Sequence, residues 1–214
     1  MGTRGLVVGF DLDMTLVDTR AGIAATWDEV SRRTGVPVDS AVVVSRLGPP
    51  LAEEAAYWFP REWIPDVVGL FRAIYPTRAV EPSRLLPGAA DSFAAVRDHA
   101  GQIMVVTSKL GRLAQLHLDH LGLKADVLAG NVFGGDKGAV LREHGASIYV
   151  GDHLGDVRAA RVGGCVSVTV PTGPISADEL RAAGADVVLD DLTRFPDWLR
   201  AHRGPGGAGG GGAV

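Results

Sequence analysis

The chain has 214 residues, of which 46% are hydrophobic, which suits one globular domain or a core with a smaller companion. The net charge of −4, without any run of basic residues, argues against a nucleic-acid polymer or an anionic membrane as partner. No apolar segment approaches the roughly 20 residues that cross a bilayer, and no signal-peptide pattern is present. The single cysteine, Cys165, cannot form an internal disulfide. We therefore expect a soluble, cytoplasmic protein.

The N-terminal stretch combines a buried strand with a pair of carboxylates. The apolar run at 6–8 leads into GFDLDMTLVD at 9–18, in which Asp11 and Asp13 stand two residues apart. Side chains at that spacing share a face of an extended chain, and open α/β sheets bind ligands at the carboxyl ends of their strands. Two adjacent carboxylates repel each other unless a cation or a proton lies between them. The stretch indicates a ligand site, although an acidic turn or helix cap would also explain one Asp.

The segment after this strand has a helical pattern. Apolar residues at helical spacing predict helices over 20–34, 39–46 and about 64–75. Proline and glycine residues around 82–88 end this block. The predicted division of the chain is a core over 1–17 and 87–200, a helical cap over 18–86, and a Gly-rich tail over 204–214.

Strand and helix patterns alternate over the rest of the chain. Strands are predicted at 103–107, 126–129, 147–151, 166–170 and 186–189. Helices are predicted between them, at 110–121, 137–144, 156–162 and 177–183. This alternation specifies an α/β fold, a doubly wound parallel sheet with right-handed crossovers. The Gly-rich tail has nothing to bury, so we expect it to be disordered.

Further polar residues follow the ends of these strands. A hydroxyl and free backbone N–H groups at Thr107 and Ser108 suit a phosphate oxygen, and Lys137 suits a phosphoryl charge. Asp152 and Asp156 follow the next strand. Each residue alone has an ordinary explanation, which is helix capping for Thr107 and the two carboxylates and a solvated surface for Lys137. Together they predict a Mg²⁺ site and an anion cradle at one edge of the sheet.

These motifs, with a helical insertion after the first strand, resemble the haloacid dehalogenase-like superfamily and its phosphoglycolate phosphatase-like branch. The corresponding residues are DLDMT at 11–15 for the first motif, Thr107 for the second, Lys137 for the third, and Gly151-Asp152 with Asp156 for the fourth. The resemblance covers 6–199 and implies a Rossmann-like core with a helical cap. Met14 departs from the pattern, because the family usually has Gly there.

The resemblance implies a phosphatase that hydrolyses the phosphate monoester of a small phosphorylated metabolite. Asp11 would attack phosphorus and form an aspartyl phosphate, while Asp13 would protonate the leaving oxygen and later take a proton from water. This role predicts an Asp13 pKa above the ordinary value of about 3.9. Thr107, the Ser108 backbone and Lys137 would hold the phosphoryl oxygens.

Mg²⁺ is the cofactor that the resemblance implies. Its protein ligands would be an Asp11 carboxylate oxygen, the Asp13 backbone carbonyl and Asp152. Asp156 would act through water or by orienting the other ligands. Lys109 and His153 lie beside the motifs, where contact with substrate and a capping or surface role are both open.

Other functions on a parallel sheet remain as alternatives. A phosphoglucomutase-like phosphotransferase would differ from a phosphatase only in the acceptor of the phosphoryl group. A dehalogenase is disfavoured, because Asp13 would have no leaving group to protonate. A receiver-like signalling module also combines acidic residues, Thr and Lys, but it needs neither a phospho-acceptor on the first strand nor a helical insertion. The sequence identifies neither the substrate nor the oligomeric state.

The insertion is predicted to close over the site. The two crossings between cap and core, at 18–19 and 82–88, are the predicted hinges. The GPP segment at 48–50 is predicted to be a rigid tip that reaches over the sheet edge, although an ordinary helix–helix turn explains it equally well. Arg46, beside this tip, is predicted to take part in substrate selection.

Overall fold

The computed structural model describes residues 5–203 and is built around a parallel sheet. The strands are β1 Val7–Phe10, β2 Val17–Asp18, β3 Arg84–Leu85, β4 Gln102–Val106, β5 Val127–Ala129, β6 Ile148–Gly151, β7 Val166–Thr169 and β8 Val187–Val188. Six of them form one sheet in the order β5-β4-β1-β6-β7-β8, with every neighbouring pair parallel. The predicted disordered tail over 204–214 lies outside the described residues.

Helices cover the sheet and fill the insertion. They are α1 Arg20–Thr34, α2 Ser40–Ser45, α3 Leu51–Ala55, α4 Ile64–Arg78, α5 Ala89–Asp98, α6 Gly111–Leu121, α7 Gly134–Glu143, α8 Leu154–Gly163, α9 Ala177–Ala182 and α10 Phe195–Arg203. Short 3₁₀ turns lie at Arg61–Trp63 and Leu192–Arg194. Over residues 5–203, no helix combines the length and the apolar character that a membrane crossing requires.

Strand β1 lies at the topological switch point of the sheet, where the strand order reverses: β4 and β5 lie on one side of β1, and β6, β7 and β8 lie on the other. Val8 pairs with Ile103 of β4 on one side and with Ile148 of β6 on the other. Val8 and Phe10 are fully buried, as expected for a strand covered on both faces. The sequence-based α/β fold with a doubly wound parallel sheet is therefore confirmed. Ligands of such sheets bind at the carboxyl ends of the strands that flank this switch point.

Helices α1 to α4 have an apolar core of their own. Its centre is Trp27, whose ring lies 5.0 Å from that of Phe71 and 6.5 Å from that of Phe59. Leu113 of α6 belongs to the same cluster, so the helical insertion packs directly on the Rossmann-like part. The structure thus has a Rossmann-like core and a helical cap, as predicted. The exact domain limits at 17/18 and 86/87 stay a prediction.

The chain enters and leaves the cap through two adjacent strands. β2 and β3 pair antiparallel, with Val17 opposite Leu85 and Asp18 opposite Arg84. The backbone N–H of Leu86 donates to the Leu16 carbonyl at 2.9 Å and extends this ribbon. With two residues each, β2 and β3 are too short to show an alternating pattern and were not predicted.

The helix start predicted at Lys137 is wrong, and the start predicted at residue 110 is one residue early. The helix predicted at 137–144 begins at Gly134, so the segment 134–136 is helical and Lys137 is the fourth residue of α7. Asp136 lies in the first turn of α7, where a carboxylate is favourable for the helix dipole. The helix predicted at 110–121 is α6, which begins at Gly111 after an extended Leu110, so a short loop separates it from Thr107.

Candidate active site

The loop after β1 turns sharply at Met14. This residue has a φ of 59°, in the left-handed region that glycine adopts most easily, which explains why the family usually has Gly here. The left-handed backbone costs about 1–2 kcal/mol, and burial of the Met14 side chain, 2% exposed, offsets it. The turn is closed by Met14 N–H donating to the Val17 carbonyl at 2.8 Å. After this turn the three polar side chains of the loop contact different residues: Asp11 lies beside Lys137, Asp13 beside Lys109 and Thr15 beside Asp152.

Three carboxylates and one lysine meet at the switch point. Asp11, Asp152 and Asp156 each place an oxygen within 4.8 Å of the other two. Lys137 Nζ lies 3.1 Å from Asp11 Oδ1 and 2.8 Å from Asp156 Oδ1. Burial raises the pKa of Asp11 to about 7, with Asp156 and Asp13 acting in the same direction and Lys137 against it. Burial and the neighbouring carboxylates also raise the pKa of Asp152. The single positive charge of Lys137 does not balance the three carboxylates, so the cluster favours the binding of a further cation.

The donor set fits a divalent metal ion with oxygen ligands. Among the described residues, Asp11 Oδ1 is the one buried side-chain oxygen that accepts no hydrogen bond, although Lys137 is close to it. Asp152 Oδ1 accepts from Thr15 Oγ1 at 2.7 Å, and a Cβ at Gly173 would lie only 1.9 Å from Asp152 Oδ2. The absence of a side chain at Gly173 therefore keeps space beside that oxygen. Asp11 and Asp152 offer the oxygens that Mg²⁺ prefers.

Asp156 has a different environment from the other two carboxylates. Its Oδ1 accepts from Lys137 Nζ at 2.8 Å and from the Tyr149 hydroxyl at 3.2 Å. Its Oδ2 accepts from the His153 backbone N–H at 3.1 Å, which also caps α8. Both oxygens are therefore committed to protein donors. This favours an orienting role for Asp156 over direct metal ligation, and its role towards a metal, through water or by orienting the other ligands, stays a prediction.

Asp13 is held by donors from two other segments. Its Oδ1 accepts from Lys109 Nζ at 2.7 Å and from Thr19 Oγ1 at 2.6 Å. Burial raises the pKa of this carboxyl, but the Lys109 charge and the hydrogen bonds from Lys109 and Thr19 outweigh burial and leave the pKa below its ordinary value. The expectation of a raised Asp13 pKa is therefore wrong for the contacts in this structure. The sequence could not show it, because Lys109 follows Asp13 by 96 residues.

The predicted phosphate-binding residues lie around the same space. Thr107 is fully buried, and its Oγ1 accepts from the Lys109 backbone N–H at 3.2 Å. Ser108 and Lys137 line the cavity above Asp11. Their contact with a phosphoryl group stays a prediction. His153 serves as the N-cap of α8, with Nδ1 accepting from a backbone N–H at 3.1 Å.

A cavity of about 660 Å³ separates the carboxylates from the cap. Its cap side includes Arg46, Leu51, Val68, Phe71, Arg72 and Tyr75. The tip at 48–50 reaches the core, since a Cβ at Gly48 would lie 2.9 Å from the His153 ring. Arg46 forms two hydrogen bonds to Glu54, at 3.0 and 2.7 Å, and lies 3.9 Å above the Tyr57 ring. The predicted reach of the tip is confirmed, while its part in selectivity stays a prediction.

Several residues of the site were not assigned a role from sequence. Thr15 bonds Asp152, Thr19 bonds Asp13, and Tyr149 bonds Asp156. The two threonines lie within or next to the first motif, so their hydroxyls could have been noted there. Nothing in the sequence pattern marks Tyr149 or Tyr75, because each reaches the site from a different strand or helix.

Fold and site together define a Rossmann-like α/β enzyme with a carboxylate cluster and a lysine under a helical cap. A family model described as haloacid dehalogenase-like hydrolase matches residues 8–161, and a second, HAD-hydrolase-like model matches residues 136–195. The chain therefore belongs to the haloacid dehalogenase-like hydrolase family.

Known relatives extend over almost the whole chain. It is 28% identical over 217 residues to phosphoglycolate phosphatase from Yersinia pseudotuberculosis, with 91% of each chain covered. It is 29% identical to tyrosine-protein kinase PtkA from Mycobacterium tuberculosis, over 90% of this chain and 71% of the kinase. Haloacid dehalogenase-like family protein SP0104 from Streptococcus pneumoniae shares the fold, with a TM-score of 0.81 at 22% identity over 92% of this chain and 99% of that one. The predicted resemblance is confirmed, and the comparisons indicate a phosphatase.

The space beside Asp152 gives a first test of the cluster. In Gly173→Ala the new Cβ would collide with Asp152 Oδ2, so we expect the carboxylate to shift and the apparent Mg²⁺ affinity to fall about tenfold or more. Titration of activity with Mg²⁺ measures this change. Gly69→Ala is the matched control, because its Cβ would enter open space on α4. Equal Mg²⁺ affinities in the two variants would contradict the assignment of Asp152 as a ligand.

Proposed function

We propose that the protein is a Mg²⁺-dependent phosphatase that hydrolyses a small-molecule phosphate monoester through an aspartyl phosphate on Asp11. The observation that carries this proposal is the position of Asp11. Its carboxylate is buried at the floor of the cavity, with Lys137 Nζ at 3.1 Å and with one oxygen free of hydrogen bonds from the described residues. A carboxylate placed in this way is a nucleophile that needs no additional base.

The proposed reaction has two displacement steps. An Asp11 oxygen attacks phosphorus, the bond from phosphorus to the leaving oxygen breaks, and the leaving oxygen takes a proton from Asp13. A water molecule then attacks the phosphorus of the aspartyl phosphate and gives a proton to Asp13, which releases phosphate and restores the Asp11 carboxylate. Lys137 and Ser108 line the cavity beside Asp11, and with Thr107 they would hold the phosphoryl oxygens on which charge develops.

The protonation of Asp13 differs between these two steps. The ionised form, which the contacts with Lys109 and Thr19 favour, is the form that accepts a proton from water. Protonation of the leaving oxygen requires that Asp13 gain a proton before or during substrate binding. A leaving group that is stable as an anion does not need this proton, so aryl phosphates should be less dependent on Asp13 than alkyl phosphates.

Asp11, Asp152 and the Asp13 backbone carbonyl would hold Mg²⁺, with Asp156 orienting this shell. When bound, the ion neutralises carboxylate and phosphoryl charge so that the two anions can approach each other.

The first test of the proposal is turnover of a generic aryl phosphate with and without Mg²⁺. The second test is turnover of a panel of phosphorylated metabolites. The panel should include 2-phosphoglycolate, because the Yersinia relative is named for it. Multiple turnover with phosphate release supports a phosphatase. Stoichiometric labelling without turnover would instead indicate a receiver-like module. Transfer of the phosphoryl group to a sugar phosphate or to a protein tyrosine would indicate a phosphotransferase.

The cap tip gives a prediction about selectivity. In Gly48→Ala the added Cβ would press on the His153 ring, and alanine would be strained at the φ of 138°, so the tip should shift over the cavity. We expect kcat/KM to change by unequal factors among metabolite substrates, and by less for a small aryl phosphate, which needs few cap contacts. Gly69→Ala again serves as control. Equal losses on all substrates would show that the tip supports closure or stability and does not contact the leaving group.

A further inference from the structure

A buried series of hydrogen bonds runs from Asp13 into the cap. Lys109 Nζ donates to Asp13 Oδ1 at 2.7 Å and to the Tyr75 hydroxyl at 2.5 Å. The Tyr75 hydroxyl, on α4, lies 2.9 Å from His117 Nε2 on α6. His117 Nδ1 lies 3.0 Å from Ser83 Oγ, which directly precedes β3. Tyr75, His117 and Ser83 are all buried, so solvent does not compete for these bonds.

The direction of each of these bonds follows from its partners. Ser83 Oγ donates to the Val80 carbonyl at 2.5 Å and therefore accepts from His117 Nδ1–H. His117 Nε2 then accepts from the Tyr75 hydroxyl, whose oxygen accepts from the Lys109 ammonium. Burial lowers the pKa of His117 to about 4 and raises that of Tyr75 to about 12, so both are neutral near pH 7. One arrangement of protons therefore provides a donor and an acceptor for every hydrogen bond from Lys109 to Ser83.

A second donor connects Asp13 to the other crossing of the cap. Thr19 directly follows β2, and its Oγ1 donates to Asp13 Oδ1 at 2.6 Å instead of capping α1. Asp13 Oδ1 is thus joined to the first crossing by Thr19 and to the second by the series that ends at Ser83. No donor in the described part of the chain bonds Asp13 Oδ2, and Asp13 lines the cavity. Oδ2 is the oxygen left for the leaving group and for water.

We propose that Lys109 and Tyr75 are positioning residues that make the orientation of Asp13 depend on the docking of α4 against the core. The proposal rests on the proposed function, in which Asp13 transfers the protons. While α4 is docked, Lys109 is fixed by Tyr75 and holds Oδ1, which directs Oδ2 into the cavity. When the cap moves away, Lys109 loses Tyr75 and Asp13 loses a fixed donor. Proton transfer is thereby restricted to the closed cavity.

Direct contact with substrate is a competing role, because Lys109 and Tyr75 also line the cavity. The geometry argues against it for Lys109. Two of its three N–H groups donate to protein oxygens, the ammonium lies 4.6 Å from the centre of the Tyr75 ring, and the side chain is only 8% exposed. A residue that binds substrate would chiefly change KM, whereas a positioning residue would chiefly change kcat.

The kinetic test compares Tyr75→Phe with Tyr57→Phe, and Lys109→Met with Lys124→Met. Tyr57 is an exposed tyrosine of the cap and Lys124 is an exposed lysine, so each control removes the same group elsewhere. For Tyr75→Phe and Lys109→Met we expect kcat on an alkyl phosphate to fall about tenfold or more, with KM changed less than about twofold. Phosphoenzyme formation from an aryl phosphate should fall less, and Lys109→Arg should recover part of the loss.

A second measurement does not require turnover. The unfolding free energies of Tyr75→Phe, Asp13→Asn and the double variant form a thermodynamic cycle. We expect the two changes to be non-additive, although the two side chains do not touch, because Lys109 joins them. Additive values would overturn the proposal. So would a change confined to KM, or equal losses in the rate of phosphoenzyme formation from alkyl and aryl phosphates. Absence of turnover in the unaltered protein would instead overturn the proposed function.

Discussion

Asp11→Asn should abolish phosphatase turnover, with a loss of at least about 10⁴-fold, while the protein stays folded. The amide is nearly the same size as the carboxylate, but it is not a nucleophile towards phosphorus. It also removes a buried negative charge whose pKa is raised mainly by burial, so we expect no loss of stability. Steady-state kinetics on an aryl phosphate measures the first effect, and thermal unfolding measures the second.

The site of phosphorylation provides the direct evidence. Trapping the intermediate in the unaltered protein by acid quench, followed by mass spectrometry, should place the phosphoryl group on Asp11. Asp178→Asn is a suitable control, since this carboxylate is 94% exposed and, within residues 5–203, pairs only with Arg181 on α9. Phosphate found on another residue, or normal turnover in Asp11→Asn, would show that the nucleophile is wrongly assigned.

Removal of Mg²⁺ should lower activity at least about 100-fold, and readdition should restore it. Without the ion, Asp11 and Asp152 lie close together, and burial raises the pKa of both. Asp152→Asn should weaken the apparent Mg²⁺ affinity more than it weakens substrate binding. Activity in EDTA at the full rate would rule out the metal site as described.

Stability should respond to Mg²⁺ and pH together. Asp11 titrates near its ordinary value of 3.8 in the unfolded chain and at about 7 in the folded protein. Between these values the folded state binds more protons, so metal-free protein should become less stable as the pH rises from about 4 to 7. Mg²⁺ binds the ionised carboxylates, so its addition should raise the Tm more at about pH 8 than at about pH 5. An increase in Tm that does not depend on pH would contradict this coupling.

The sequence predicts the sheet and the residues at its edge because those features are local. Each strand appears as a short apolar run, and a polar residue at its end falls at the carboxyl edge whatever the rest of the chain does. Asp11, Lys137 and Asp152 could therefore be assigned to one site without any knowledge of distances. Asp11 and Asp152 converge because β1 and β6 are parallel neighbours, whereas Lys137 reaches the same site from α7. The family match confirms the resemblance, while the roles that the resemblance adds to these residues stay predictions.

The tertiary structure alone decides which groups each carboxylate contacts. Thr15 and Asp152 bond across 137 residues of sequence, and Lys109 reaches Asp13 across 96. That second contact reverses the predicted direction of the Asp13 pKa shift.

The hydrogen bonds that connect Asp13 to the cap could not be predicted from the sequence either. A tyrosine at helical spacing on α4 reads as an ordinary core residue, because periodicity indicates which face is buried and not what the face meets. Only the packing of α4 on α6 brings the Tyr75 hydroxyl between Lys109 and His117. Hydrogen bonds form over less than 3.5 Å, and positions to that accuracy depend on the whole fold, whereas strands and their ends depend on a few neighbouring residues.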